Sequence, residues 1–139
     1  MLRNRQYDIE IDFFNTEQIN TAISFKQFDY GTSNIKFLLK YKGEKLRLNE
    51  NEKIISIFKY RNSIVANKID ESIQHDVQLL EDDGGIIVQI PQEILKNQGT
   101  VHCEIVIFNE VNGNRKTSPN ITFSIIKSLI DFKDLNNGG

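Results

Sequence analysis

Tyr7-Asp8-Ile9-Glu10-Ile11-Asp12-Phe13 alternates apolar and acidic residues at every step. Successive side chains of an extended chain leave opposite faces, so a period of two describes a β-strand with one dry and one wet face. The pattern recurs outward from there. Beyond Asn15-Thr16-Glu17, residues Ile19, Ile23 and Phe25 fall on one face and Asn20, Ser24 and Lys26 on the other. Asp29-Tyr30-Gly31-Thr32 has turn composition. A third strand then places Ile35, Phe37, Leu39 and Tyr41 inward between Lys36 and Lys40. Lys42-Gly43-Glu44 closes a hairpin into a short strand that holds Leu46 and Leu48.

The run from Lys53 to Tyr60 is apolar on both faces, as a central strand requires. Arg61-Asn62-Ser63 turns the chain into a weaker strand from Ile64 to Ile69. Val77 and Leu79 lead to a polar hairpin tip at Glu81-Asp82-Asp83-Gly84-Gly85, and Ile86, Val88 and Ile90 lead away from it. One short helix is expected near residues 91–97, with Pro91 at its first helical position and Gly99 at its far end. Val101, Cys103, Ile105 and Ile107 make a strong strand, Asn112-Gly113-Asn114 a hairpin turn, and Ile121, Phe123 and Ile125 the last strand. Roughly nine or ten short strands between Gly, Asn and Asp turns predict an all-β, antiparallel sandwich of immunoglobulin-like or jelly-roll-like type. Residues 1–130 read as that domain. Residues 131–139 read as a frayed end or as a linker towards a C-terminal extension.

The totals agree with one domain. The chain has 139 residues, 39% hydrophobic and 26% charged, which fits neither a disordered nor a membrane-embedded chain. Lys and Arg total 17 against 19 Asp and Glu. A formal charge of −2 lacks the basic excess of a dedicated nucleic-acid binder. No apolar run approaches the roughly 20 residues of a membrane helix, and Met1-Leu2-Arg3-Asn4-Arg5 lacks the apolar stretch of a secretory signal. The single cysteine, Cys103, cannot close an internal disulfide, so synthesis in a reducing cytoplasm is expected.

Candidates for chemistry are few. His75 and His102 lie too far apart for ligand spacing, and His102 points away from Cys103 on the same strand. Cys103 reads as a small buried hydrophobe, with a Cys-His nucleophile as the other reading. Glu81-Asp82-Asp83 reads as a solvated tip, or as a cluster of hard oxygens for Ca²⁺ without the spacing of an EF-hand. Asp8, Glu10 and Asp12 could supply a glycosidase pair, although any half-exposed strand alternates in this way. There is no Gly-rich phosphate loop and no G-x-S-x-G elbow. No enzymatic activity, cofactor or metal is expected.

One basic cluster stands out: Lys36, Lys40, Lys42, Lys45 and Arg47. It reads as a solvated face that blunts a sheet edge, or as a docking surface for an acidic partner. Aromatic platforms for a sugar are scarce. Trp is absent, Tyr7 and Tyr41 fall on apolar faces, and Tyr30 and Tyr60 are left as exposed candidates. Leu38, Ile54, Phe58, Val106, Phe108 and Ile126 are spare apolar residues on second faces, available for a further packed layer or for a neighbour.

Four stretches resemble a known family. Ile23-Ser24-Phe25-Lys26-Gln27-Phe28-Asp29-Tyr30-Gly31-Thr32 is similar to an F-R-T-Q-D-x-x-T segment, with Lys26 where Arg is common and Phe28 where a polar residue is common. Leu39-Lys40-Tyr41-Lys42-Gly43-Glu44-Lys45-Leu46 is similar to a Lys-x-Gly-x-x-Leu hairpin at Gly43 and Leu46, with Tyr41 at the position of the Lys and Lys40 and Lys42 on either side of it. Ile90-Pro91-Gln92-Glu93-Ile94-Leu95 with Gly99-Thr100-Val101 follows an I-P-x-x-x-L…G-x-V pattern. Thr117-Ser118, Phe123-Ser124-Ile125 and Lys127-Ser128-Leu129-Ile130 complete it.

Their order, from about Tyr7 to Ile130, resembles the N-terminal domain of the baseplate upper protein of tailed phages that infect Gram-positive bacteria. The resemblance implies a non-enzymatic virion protein whose β-sandwich docks on the tail hub, chiefly the distal tail protein. It also implies a trimeric remainder carrying receptor-binding or tail-fibre proteins. Neither nucleic-acid binding nor membrane insertion is implied. A carbohydrate-binding or adhesin-like sandwich is the alternative.

Overall fold

The computed structural model describes residues 5–60, 63–69, 77–80 and 85–129. The expected turn at Arg61-Asn62, the hairpin tip at Glu81-Asp82-Asp83-Gly84, His75 and the tail from Ile130 lie outside the described residues. Among the described residues, eleven strands and one helix follow one another. They are β1 (Arg5–Asp12), β2 (Ile19–Lys26), β3 (Ser33–Tyr41), β4 (Glu44–Lys45), β5 (Glu52–Tyr60), β6 (Ser63–Ile69), β7 (Val77–Leu80), β8 (Gly85–Gln89), α1 (Gln92–Leu95), β9 (Gly99–Asn109), β10 (Arg115–Thr117) and β11 (Ile121–Ile126).

Two sheets face each other. One has the order β1-β3-β8-β7 with β4 beside β3, and the other β2-β11-β9-β5-β6 with β10 beside β9. The all-β sandwich read from the sequence is present, but the sheets are mixed and not uniformly antiparallel. β1 runs parallel to β3, and β2 parallel to β11. The chain crosses to the opposite sheet as β2 before returning as β3, and that excursion supplies the long crossover that parallel neighbours need.

The odd-numbered residues of the opening strand do face the core. Ile11 is buried completely and Phe13 nearly so, with Tyr7 and Ile9 packed at the margin. Edge-to-face aromatic contacts run across the sandwich from Tyr7 to Phe25 (5.4 Å between centroids) and then along the second sheet from Phe25 to Phe123 (5.8 Å) and Phe123 to Phe58 (6.2 Å). Such pairs add about 0.5–1.5 kcal/mol each beyond the area they bury.

Ile54 and Phe58, read as spare residues on a second face, belong to this core. The outward residues of β5 are instead the half-buried Ile55 and Ile57. Of the other spare residues, Val106 is buried, Leu38 and Phe108 are half-buried, and Ile126 is exposed. Leu46 and Leu48 pack against the core margin, but β4 stops at Lys45, ahead of both.

Pro119 explains why two strands share one side of β9. It has no N–H to donate, so the ladder breaks between β10 and β11. Ser118 fills the gap: its hydroxyl accepts the Ile105 N–H at 2.9 Å while its own N–H donates to the Ile105 carbonyl at 2.9 Å.

The far end is tied by Gln27 and Phe28. The Gln27 side chain donates to the Lys96 carbonyl (2.9 Å) and accepts the Ser128 N–H (3.1 Å). Phe28 takes φ +68° with its N–H on the Leu95 carbonyl at 3.1 Å. Pro91 precedes α1 as its extended N-cap, one position earlier than the sequence reading placed it. No helix among the described residues is long and apolar enough to cross a membrane.

Candidate functional site

The acidic strand and the basic strand form one surface. In the parallel register of β1 and β3, Asp8 lies opposite Lys36, Glu10 opposite Leu38 and Asp12 opposite Lys40. Side chains two apart share a face, so carboxylates and ammonium groups alternate across the outer side of the sheet. Lys40 pairs with Glu10, and Lys45 stands opposite Lys40 in the β3–β4 hairpin. Arg47 lies exposed past the end of β4. Lys36, Lys40 and Lys45 share the face that also carries the β1 carboxylates, and Lys42 lies in the turn with its Nζ over the Phe14 ring.

Asp12 organises this end of the molecule. Its Oδ1 accepts the N–H of Phe14 (3.0 Å) and of Lys42 (2.9 Å), and its Oδ2 accepts the N–H of Gly43 (2.7 Å). Lys42 and Gly43 both have positive φ, +52° and +81°, the two-residue turn that suits a twisted hairpin. Glycine meets the second of these at no steric cost. The Phe14 N–H, joined by those of Gly43 and Lys42 and by the charge of Lys40, holds the Asp12 carboxyl below the usual carboxylate range, against a push in the other direction from burial.

Two aromatic rings stand in the open beside this turn. Phe14 is 56% exposed and Tyr41 38%, so Tyr41 is not the inward residue that alternation suggested. The rings meet edge to face, 6.0 Å between centroids. Lys42 Nζ sits 4.9 Å from the centre of the Phe14 ring, and Lys116 Nζ, from β10 of the opposite sheet, 4.9 Å from that of Tyr41. Phe14 also forms one wall of a cleft of about 710 Å³ that runs past Glu10, Asp12, Glu17 and Ile19 to Pro119.

Asp12 is poorly suited to general-acid work: a glycosidase needs one carboxyl with a raised pKa, whereas Asp12 is shifted down and is held by three amides. Cys103 is 1% exposed, and burial, with Glu104 adding to it, pushes its thiol well above the ordinary range, the state of an inert core thiol. His102 is half-buried and its Nδ1 faces the Asn120 carboxamide. Among the described residues no group of three His, Cys, Asp or Glu side chains could hold a metal ion.

Of the two tyrosines read as exposed platforms, Tyr30 is 48% exposed. Tyr60 is buried, its hydroxyl donating to the Gln98 carbonyl, and so cannot stack on a sugar. Phe14 and Lys116 escaped the sequence reading. Phe14 follows the last residue of the alternating run, and nothing local connects Lys116 with Tyr41.

A family model described as the BppU N-terminal domain matches residues 5–138. The fold is also similar to the solved "N-terminal domain of phage TP901-1 ORF48", with a TM-score of 0.60 and 12% identity, over 88% of this chain and 98% of that chain. No curated protein matches the sequence.

Proposed function

This chain belongs to the BppU N-terminal domain family, and from that membership we propose that it docks a baseplate upper protein onto the tail hub through the distal tail protein. As a member of the family it is a structural domain of a phage baseplate protein, located in the virion and associated with other tail proteins. The finer reading is that the remainder of the parent protein forms a trimer and presents receptor-binding or tail-fibre proteins. In that reading the residues beyond Leu129 lead towards the trimeric part, and the sandwich contributes a docking face and no chemistry.

The observation that carries the proposal is the family match across residues 5–138, nearly the whole chain. The placement of side chains supports it: Asp12 is engaged in a turn and Glu10 in an ion pair, and the thiol is sealed in the core. A rigid sandwich repeated around a symmetric hub also gains avidity from contacts that are individually modest. Cross-linking of intact virions followed by mass spectrometry tests the proposal. Cross-links from this domain to the distal tail protein are expected. Cross-links confined to other tail or capsid proteins would contradict it.

A further inference from the structure

Resting on that docking reading, we infer that the contact lies at the sandwich end built from Phe14, Tyr41, Lys42 and Lys116, and that it seats an acidic, partly apolar loop of the hub protein.

Three observations converge there. Phe14 and Tyr41 expose large apolar rings at 56% and 38%, the residue types that dominate binding energy at protein interfaces. Both rings are held before any partner arrives. Asp12 accepts the N–H groups of Phe14 and Lys42, and the rings lean edge to face on each other at 6.0 Å. Side chains ordered in advance lose little entropy on binding.

The third observation is charge. Lys42 and Lys116 each place Nζ 4.9 Å from a ring centre, so two ammonium groups flank the aromatic pair. Carboxylates of a partner would meet these ammonium groups while an aliphatic side chain lies against the rings. The neighbouring carboxylates compete little for them, because Asp12 is held by three amides and Glu10 by Lys40. The cleft beside Phe14, about 710 Å³, gives a loop room to enter. Glu44, directly across the hairpin from Tyr41, and Glu17, which lines the cleft, are the opposing elements and would repel an acidic loop.

The full chain, titrated calorimetrically against purified distal tail protein of the same phage, provides the test. Replacing Phe14→Ala with Tyr41→Ala, or Lys42→Ala with Lys116→Ala, is expected to weaken binding by about tenfold or more. The lysine pair should also flatten the salt dependence. Glu44→Gln is expected to tighten binding about twofold, a gain that misfolding cannot produce. Tyr30→Ala, at the far end, is expected to bind as the unaltered chain does. Binding that survives both paired replacements overturns this contact and leaves the docking reading intact. Failure of the unaltered chain to bind overturns the docking reading and this contact with it. If the replacements abolish binding to cell-wall polysaccharide and not to the hub protein, the surface serves a glycan and the inference is wrong.

Discussion

The Asp12 carboxylate accepts the backbone N–H of Gly43 at 2.7 Å, joining the end of the first strand to a turn 31 residues further on. The same side chain also holds Phe14 and Lys42, so one carboxylate sets the geometry of the hairpin and of the exposed ring beside it. Asp12→Ala should therefore increase amide hydrogen exchange at Phe14, Lys42 and Gly43 without altering the core. Because the folded-state pKa lies below the ordinary value, this contribution is present above the unfolded value of about 3.9. It fades as pH falls through the lower folded value. Exchange that is unchanged in the variant would show that the turn holds itself.

Gly99 starts β9 at φ +131°, and a Cβ there would lie 3.1 Å from Cε2 and 3.2 Å from the hydroxyl of Tyr60. Gly99→Ala combines backbone strain with a clash against a buried ring. A loss of about 1–3 kcal/mol is expected in denaturant unfolding. Pairing it with Tyr60→Phe should recover little, since the ring carbon remains. Full recovery would place the whole conflict at the hydroxyl.

Phe123 lies between Phe25 and Phe58 and is 1% exposed. Phe123→Ala should cost about 3–5 kcal/mol, as large-to-small changes in tight cores do. A loss below about 1 kcal/mol would mean that the sheets close over the gap.

Ser56 is fully buried in β5, and its hydroxyl finds no hydrogen-bond partner among the described residues. Removing an unsatisfied polar atom removes its desolvation cost. Ser56→Ala is expected to leave stability unchanged or raise it by up to about 1 kcal/mol. A clear loss in thermal or chemical unfolding would reveal a partner for the hydroxyl.

Cys103 should resist thiol-specific reagents in the native chain and react only as the chain unfolds, because burial raises its pKa and excludes the reagent. Labelling that outpaces global unfolding would point to a local opening of β9.

Alternation was enough to read the faces of the strands that build the core. Ile11, Ile35, Phe37, Ile105 and Phe123 all point where a period of two puts them. The hairpin at Lys42-Gly43 and the short helix after Pro91 follow from local backbone preferences and were equally legible. Strand polarity was not legible, because alternation carries no information about which neighbour a strand takes. Hence the parallel pairing of β1 with β3 was missed, and with it the fact that Asp8 faces Lys36. Ile54 and Phe58 were assigned to the wrong face because a run apolar on both sides has no phase to read.

The candidate site was harder still. Asp12 looked like one more wet residue, although an Asp two positions before an amide it can cap is a known local signal. Lys116 and Tyr41 meet only because two sheets pack, and a contact of that kind leaves no mark in either local sequence.

The most direct measurement is equilibrium binding of the unaltered chain to immobilised distal tail protein from the same phage, followed to saturation. Saturable binding with a dissociation constant of about 10 µM or tighter is expected. No binding at several times that concentration, with the chain shown to be folded, would contradict docking on the hub.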